Sequence, residues 1–428
     1  MKAIIDCNSF YCGCERLFQP QLHDKPVVVL SNNDGCIISR TDEAKELGVK
    51  MAGPYFLAKP FIEEFNVSTF SSNYHLYGDM SWRVMETLRM ILGKEKVEVY
   101  SVDEAFLDLD GHEDEALHDV ALQIRMTVEK WTGIKVSIGV APTKVLSKIA
   151  NHLAKKNKIA TNGVVVLNKA ADIEKALQNT PVGEVWGIGR KHAQNLMENF
   201  AIFTAYDLSL KTQEWARKIM GGVVGVRLFQ ELKGISCSIT EEELTSKKMI
   251  STTRMFGRSV STIVEIKEAI ATYTSRAAEK LRRQQAVAGC ISIFIVPKQT
   301  QQQENYHRAP SINTSFTLPV ATSTTQELIS IATQLVEQIF VAGMKYKKAG
   351  VTLSNIVDEA SIQGNLFWEN SDPEKNKSLM NTIDNINFSM RDDAVKFAGS
   401  GISRDWKMRC EHRSPRYTTR WEEMYEVG

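Results

Sequence analysis

Val97-Glu-Val-Tyr-Ser-Val-Asp-Glu-Ala-Phe-Leu-Asp-Leu109 holds two apolar-rich runs, Val97–Val102 and Ala105–Leu109, broken by Asp103-Glu104. This pattern predicts a hairpin with two carboxylates at its tip. A third acid, Asp6, ends the β-branched run that opens the chain at Lys2. If that opening strand lies beside the hairpin, three carboxylates meet at one sheet edge, a hard-oxygen set suited to divalent cations. Acids at strand ends and turns are also commonly just solvated, so the spacing alone leaves both readings open.

Downstream, the patterning predicts a helix over Asp114–Trp131, a strand over Ile134–Val140, a helix over Thr143–Lys155 and a strand over Gly163–Leu167. Upstream lie a short strand at Pro26–Ser31 and a helix over Thr41–Leu47. Thr41 is placed to cap that helix, Asp42 and Glu43 fill its first turn and Gly48 ends it. Strand, long insertion, hairpin, helix, strand, helix is the order of a split β-α-β sheet backed by helices. Residues 168–235 turn to short helical patterns around Gly187-Ile188-Gly189, and 240–246 form a polar linker. A second α+β domain follows: helix Ile263–Arg283, strand Gly289–Val296, a Gln-rich loop Lys298–Arg308, strand Ile312–Leu318, helix Thr325–Ala342 and strand Ala349–Ser354. The final stretch scatters Trp368, Trp406 and Trp421 among polar residues, the pattern of an appended tail ordered in part at most.

At 428 residues the chain accommodates two to four domains of roughly 100–200 residues each. Its 43% hydrophobic and 24% charged content excludes wholesale disorder, a collagen-like fibre and a coiled-coil rod. No apolar run approaches the roughly 18 residues of a membrane span. The opening turns acidic at Asp6 before a signal-peptide core can form, so a cytoplasmic protein without a membrane partner is expected. Seven cysteines without a CxxC pair fit reduced thiols, with Cys7, Cys12 and Cys14 as small buried hydrophobes.

The net charge of +1 conceals segregation. Between Glu95 and Glu115 nine acids face one base, Lys96. Between Ala141 and Ala160 there are five lysines and no acid, and from Lys247 to Gly350 the balance is +8. An acidic centre flanked by basic surfaces suits an enzyme that holds metal at its chemistry and grips phosphates around it.

Several motifs resemble those of the Y-family DNA polymerases. They are Asp6-Cys7-Asn8-Ser9-Phe10-Tyr11, Lys25 to Cys36, Tyr100-Ser101-Val102-Asp103-Glu104-Ala105-Phe106, Ala141-Pro142-Thr143-Lys144 with Lys148 and Ala154-Lys155-Lys156, and Val185-Trp186-Gly187-Ile188-Gly189-Arg190. Ser31-Asn32-Asn33-Asp34-Gly35-Cys36 and the closing Ser414 to Arg420 point to the UmuC branch. The resemblance implies an error-prone translesion polymerase of the SOS response, a multi-domain α+β right hand. Its palm, ferredoxin-like, would span 1–10 and 75–167, with fingers at 11–74 and a thumb with a helix-hairpin-helix at 168–235. A linker at 236–247, a separate α+β little finger at 248–355 and a C-terminal tail at 356–428 would complete it.

It further implies that Asp6, Asp103 and Glu104, with the Cys7 carbonyl, hold two Mg²⁺ ions. Phe10, Tyr11, Lys45 and Lys155 would then face the deoxynucleoside triphosphate, Tyr11 as the steric gate beneath the sugar. Gly187 and Gly189 would hold a phosphate of the primer-template DNA through exposed backbone N–H groups, with Arg254 and Arg258 gripping further along. Gln363-Gly-Asn-Leu366-Phe367 resembles a peptide that docks on the sliding clamp, and a cleaved UmuD dimer and a RecA filament are the other implied partners. One departure stands out. Where many family members place a Tyr and an Arg over the triphosphate, this chain has Asp42 and Lys45. Lysine lacks the bidentate fork of arginine and aspartate repels phosphate, so Asp42 is left outside the expected site.

Other classes fare worse. Gly187-x-Gly189 lacks the third glycine of a dinucleotide fingerprint, and no GxxxxGK[ST] is present. A nucleotidyl cyclase would not need DNA-gripping domains. A non-catalytic scaffold that binds damaged DNA would not need all three carboxylates.

Overall fold

The computed structural model describes residues 1–237, 246–298, 310–365, 373–390 and 393–425. They fall into two compact units, one drawn from Met1–Ser31, Gly35–Glu243 and His412–Gly428, the other from Asn32–Asp34 and Leu244–Glu411.

The first unit begins β1 (Lys2–Cys7), α1 (Phe10–Phe18), β2 (Val27–Leu30), β3 (Ile37–Arg40), α2 (Asp42–Glu46), α3 (Tyr55–Glu64), β4 (Ser68–Ser71) and α4 (Tyr74–Leu92). It continues with β5 (Val97–Val99), β6 (Glu104–Asp108), α5 (Leu117–Thr132), β7 (Val136–Ala141), α6 (Lys144–Lys156) and β8 (Val164–Val166). Five short helices follow: α7 (Ala170–Gln178), α8 (Arg190–Phe200), α9 (Ala205–Ser209), α10 (Gln213–Ile219) and α11 (Val223–Leu232). Strands β5-β6-β1-β7-β8 make a five-stranded sheet, and β3-β2-β4 a separate three-stranded one. Because β1 is central, Ala3, Ile4 and Ile5 are all buried, and α6 packs against β1 and β7.

That packing depends on Gly139, where an added methyl would lie 2.1 Å from the backbone nitrogen of Asn151 in α6. Thr143 caps α6, its side chain accepting from the Leu146 amide at 3.3 Å, and Thr41 caps α2 in the same way through Ala44. The strand expected over Val97–Val102 stops at Val99. There the Ser101 hydroxyl oxygen accepts from the amides of Asp103 (3.3 Å) and Glu104 (3.1 Å), and this side-chain turn replaces the ladder.

The second unit contains β9 (Ile250–Val260), α12 (Ile263–Arg283), β10 (Ala286–Pro297), β11 (Ile312–Thr322), α13 (Thr325–Ile339), β12 (Tyr346–Asp358) and α14 (Pro373–Ser389). Its antiparallel sheet has the order β11-β10-β12-β9, with Ile266, Ile270, Leu328 and Leu335 of the two long helices in the core. β9 has no counterpart among the strands expected from the sequence. It is an edge strand whose pairing shifts register and whose Thr252, Thr253, Arg254 and Arg258 hide its alternation.

The expectation of a loosely ordered tail is corrected. Arg282 of α12 grips Asp384 of α14 with two nitrogens (2.7 and 2.8 Å), Arg404 pairs with Asp393 at 2.9 Å, and Trp406 is 4% exposed against Phe256 and Tyr273. The last described residues, 412–425, belong to the first unit instead. Tail polarity misled because the polar groups are spent inside the fold: Asp384 and Asp393 neutralise arginines whose charge sequence counting assigned to the surface. Among the described residues no helix is long and apolar enough to cross a membrane, and the cysteines are free, with Cys7, Cys12 and Cys14 buried.

Candidate active site

Asp6 and Glu104 are direct partners in the antiparallel β1–β6 ladder, and the Cys7 amide donates to the Asp103 carbonyl at 2.9 Å. Strand end and hairpin tip therefore bring Asp6, Asp103 and Glu104 to one sheet edge. Like charges directly opposed across a ladder repel, so the pairing requires cations nearby. α6 supplies them. Lys148 and Lys155, two turns apart on one face, bond to Glu104 (2.8 Å) and Asp6 respectively. Asp103 turns back to accept from the Ser101 hydroxyl at 2.6 Å.

Burial raises the Asp6 carboxyl above its usual range. Lys155 opposes that shift, and the Glu104 and Asp103 charges reinforce it. Burial also pushes the Cys7 thiol well up, which leaves the Cys7 backbone as its part in any ligand set.

Lys148 is the residue that sequence reasoning left without a role. Its ammonium lies over the rings of Tyr100 (4.6 Å), Trp186 (5.6 Å) and Phe106 (5.9 Å), and the Trp186 indole donates to the Tyr100 hydroxyl at 3.0 Å. Lys144, one turn earlier, is nearly buried on Glu98 at 2.6 Å. Three of the five lysines between Ala141 and Ala160 thus neutralise acids of the hairpin and β1, and Lys158 pairs with Asp42 at 2.6 Å. The signal was available as the i, i+4, i+11 spacing of Lys144, Lys148 and Lys155 opposite an acidic hairpin.

Tyr11 is half-buried in the first helical turn of α1, its ring stacked on Tyr77 (4.6 Å, 21°) and edge-on to Tyr74. Phe10 is 3% exposed and belongs to the core, so only its backbone is available to a ligand, a correction to its expected place facing the nucleotide. Lys45 is exposed in the last turn of α2, with no ion pair joining it to the carboxylates among the described residues. Gly187, at φ +95°, ends the turn before Gly189, which N-caps α8 with no side-chain cap among the described residues. Arg254 and Arg258 are exposed on β9, but Arg258 is paired with Glu265. Of the clamp peptide, Gln363 is described and exposed, whereas Leu366 and Phe367 lie outside the described residues, as do the Gln-rich loop from 299 to 309 and the linker from 238 to 245.

A split sheet that presents carboxylates at one strand edge, followed by short helices and a second α+β unit, is the architecture of a Y-family DNA polymerase. Among solved structures, a Y-family polymerase chimera of Dbh and Dpo4 superposes with a TM-score of 0.66 at 23% identity, covering 84% of this chain and all of that one. An insertion ternary complex of Dbh DNA polymerase covers the same shares at 0.54. The families that match are the impB/mucB/samB family over residues 5–152, the C-terminal domain of that family over 247–366, and a domain of unknown function over 377–427. The UmuC protein of Salmonella typhimurium strain LT2 is 40% identical over the full length of both chains, and the MucB protein of Escherichia coli is 36% identical over 98% of each. DNA polymerase IV of Desulfatibacillum aliphaticivorans is 26% identical over 89% of this chain and 92% of its own. This chain belongs to the impB/mucB/samB family, the branch to which its Ser31–Cys36 and Ser414–Arg420 motifs point, and is a DNA-directed DNA polymerase of the translesion class.

Proposed function

We propose that this polymerase extends primers past damaged template bases by adding deoxynucleotides at the edge formed by Asp6, Asp103 and Glu104. The observation that carries the reading is the direct pairing of Asp6 with Glu104 beside Asp103, a concentration of like charge that repels unless cations meet it. Residues 1–10 and 75–167 serve as palm, 11–74 as fingers, 168–235 as thumb, 236–247 as linker and 248–355 as little finger.

The three carboxylates and the Cys7 carbonyl would hold two Mg²⁺ ions. Two features support the fit: every side-chain donor is a hard oxygen, and ammonium groups already sit on Asp6 and Glu104. No group of three ligand side chains is gathered round one point among the described residues, and ion binding would break the Lys155–Asp6 and Lys148–Glu104 pairs. Such ions, when bound, would supply the positive charge that lowers the pKa of a primer 3′-hydroxyl and stabilises a leaving pyrophosphate.

The chain's own residues do the rest. Lys155, freed from Asp6, is in place to meet the triphosphate, and Lys148 stays at the site because three rings hold it. Tyr11, half-buried against Tyr77, presents a rigid ring where a 2′-hydroxyl would clash. The α8 N-terminus holds a DNA phosphate without reading sequence, and the exposed Arg254 grips another. Lys45 contributes only a point charge without the fork of an arginine, which fits a permissive fingers lid. Gln363 to Phe367 docks on the sliding clamp, and a cleaved UmuD dimer and a RecA filament assist.

Primer extension over an abasic template, with and without those partners, tests the reading. Bypass that requires Asp103 supports it, and bypass by an Asp103→Ala chain refutes it.

A further inference from the structure

The segment at residues 412–425, within the match to a domain of unknown function, is built into the first unit. His412 bonds to Ser71, the last residue of β4, its carbonyl accepting from the Ser71 amide at 3.0 Å and its amide donating to the Ser71 hydroxyl at 2.9 Å. Ser414, 4% exposed, follows. Asn73, the residue that caps α4, donates through its side-chain amide to the Ser414 carbonyl (3.1 Å), the Ser414 hydroxyl (3.0 Å) and the Pro415 carbonyl (3.1 Å). The Ser414 hydroxyl in turn donates to Oε1 of Glu15 at 3.0 Å, and the Tyr77 hydroxyl donates to the same oxygen at 2.6 Å. Further along, the Tyr417 ring is sandwiched between Phe18 (4.8 Å, 14°) and Tyr425 (4.9 Å, 16°), and the Tyr425 hydroxyl donates to the Phe18 carbonyl.

Two of the anchor points lie on α1. Glu15 sits at its middle and Phe18 at its end, while Tyr11 occupies its first turn and stacks on Tyr77, the other donor to Glu15. Glu15 is 0% exposed, and its second oxygen has no hydrogen-bond partner among the described residues. A buried carboxyl this sparsely satisfied persists only where the donors it has are fixed.

We propose that Ser414, held by Asn73, is a positioning residue for sugar selection: it fixes the Glu15–Tyr77 pair on which the Tyr11 ring is stacked, so the 412–425 strap sets the placement of the gate. The proposal rests on Tyr11 acting as the gate, and the test separates the two claims.

In the complex in which the full-length chain extends primers, kcat/KM is measured for a deoxynucleotide and for the matching ribonucleotide. The chains compared are wild type, Tyr11→Ala, Ser414→Ala, Ser414→Thr and Tyr77→Phe. The proposal expects Ser414→Ala and Tyr77→Phe each to lower the deoxy/ribo ratio about 3- to 10-fold, the scale of a small misplacement of a reacting or excluding group, with Ser414→Thr near wild type. If Tyr11→Ala lowers the ratio while Ser414→Ala and Tyr77→Phe leave it unchanged, the strap is support only and the proposal is overturned with the gate intact. The same outcome overturns it even where the total activity of these variants falls, because lost folding scales both substrates alike. If Tyr11→Ala itself leaves the ratio unchanged, the gate reading fails and the proposal with it.

Discussion

The five-stranded sheet of the first unit and the four-stranded sheet of the second are built alike, strands backed by long helices, yet their chemistry is opposite. β1 and β6 put Asp6 and Glu104 opposite each other, whereas the paired residues of β10, β11 and β12 are apolar or small and neutral until Lys348 and Asp358 near the strand ends. The buried charged side chains, Glu15, Lys144 and Glu231, all lie in the first unit among the described residues, and the second buries only Thr252, Thr274, Thr322, Thr325 and Ser400 as polar groups. One architecture thus serves two tasks, and the task is read from the residues at the strand ends.

The sharpest way to break that contrast is to remove one acid. Asp103→Ala is expected to lower nucleotide addition at least about a thousandfold, since charge stabilisation at the reacting centre is the largest catalytic contribution, while DNA affinity stays near wild type. Single-turnover extension and fluorescence anisotropy check the two halves. Substantial extension by this variant would remove the first sheet's claim to chemistry.

The second sheet is tested by salt. If its cations and the α8 N-terminus hold about four phosphates, affinity for unrelated duplexes should fall roughly a hundredfold between 50 and 200 mM salt. A flat anisotropy titration would deprive it of its role. Internal pairing of Arg258, Arg276 and Arg282 predicts a slope shallower than the +8 count suggests. Smaller still, Tyr11→Ala should raise ribonucleotide use relative to deoxynucleotide about tenfold or more, measured as the ratio of kcat/KM values. An unchanged ratio would make the ring core packing.

Much of this contrast is legible in the sequence. The Asp103-Glu104 interruption of two apolar runs, the Thr143 cap and the five lysines are local signals, and they locate the hairpin and α6 within a few residues. Non-local satisfaction is not legible. β9 is polar because it is an edge, Lys148 has a role only once Tyr100, Phe106 and Trp186 surround it, and Ser414 gains its meaning from Glu15, 399 residues away. Polar residues look solvated in a sequence until the partner that desolvates them is in place.

Glu15 gives the finest test of the contrast. Burial raises its carboxyl from the ordinary 4.5 to about 7, against the lowering effect of the Tyr77 and Ser414 hydrogen bonds. A raised carboxyl binds its proton more tightly in the folded state. The stability it confers is complete below about pH 4.5 and is lost as pH rises through 7, by at most about 3 kcal/mol. Cys12, Cys14 and Tyr77 nearby are pushed further above their already high values, so they stay neutral and do not oppose the trend. Hydrogen exchange of α1 and α4, corrected for intrinsic rate, should therefore lose protection between pH 5 and 8 while α12, which buries no charged group, does not. Glu15→Gln, a permanent mimic of the protonated acid, should reduce the α1 and α4 response to the smaller part that Asp6, also raised by burial, contributes at the acid end of the window. Equal pH dependence in α12, or a Gln variant that loses as much protection as wild type, would show that Glu15 is not what distinguishes the two units.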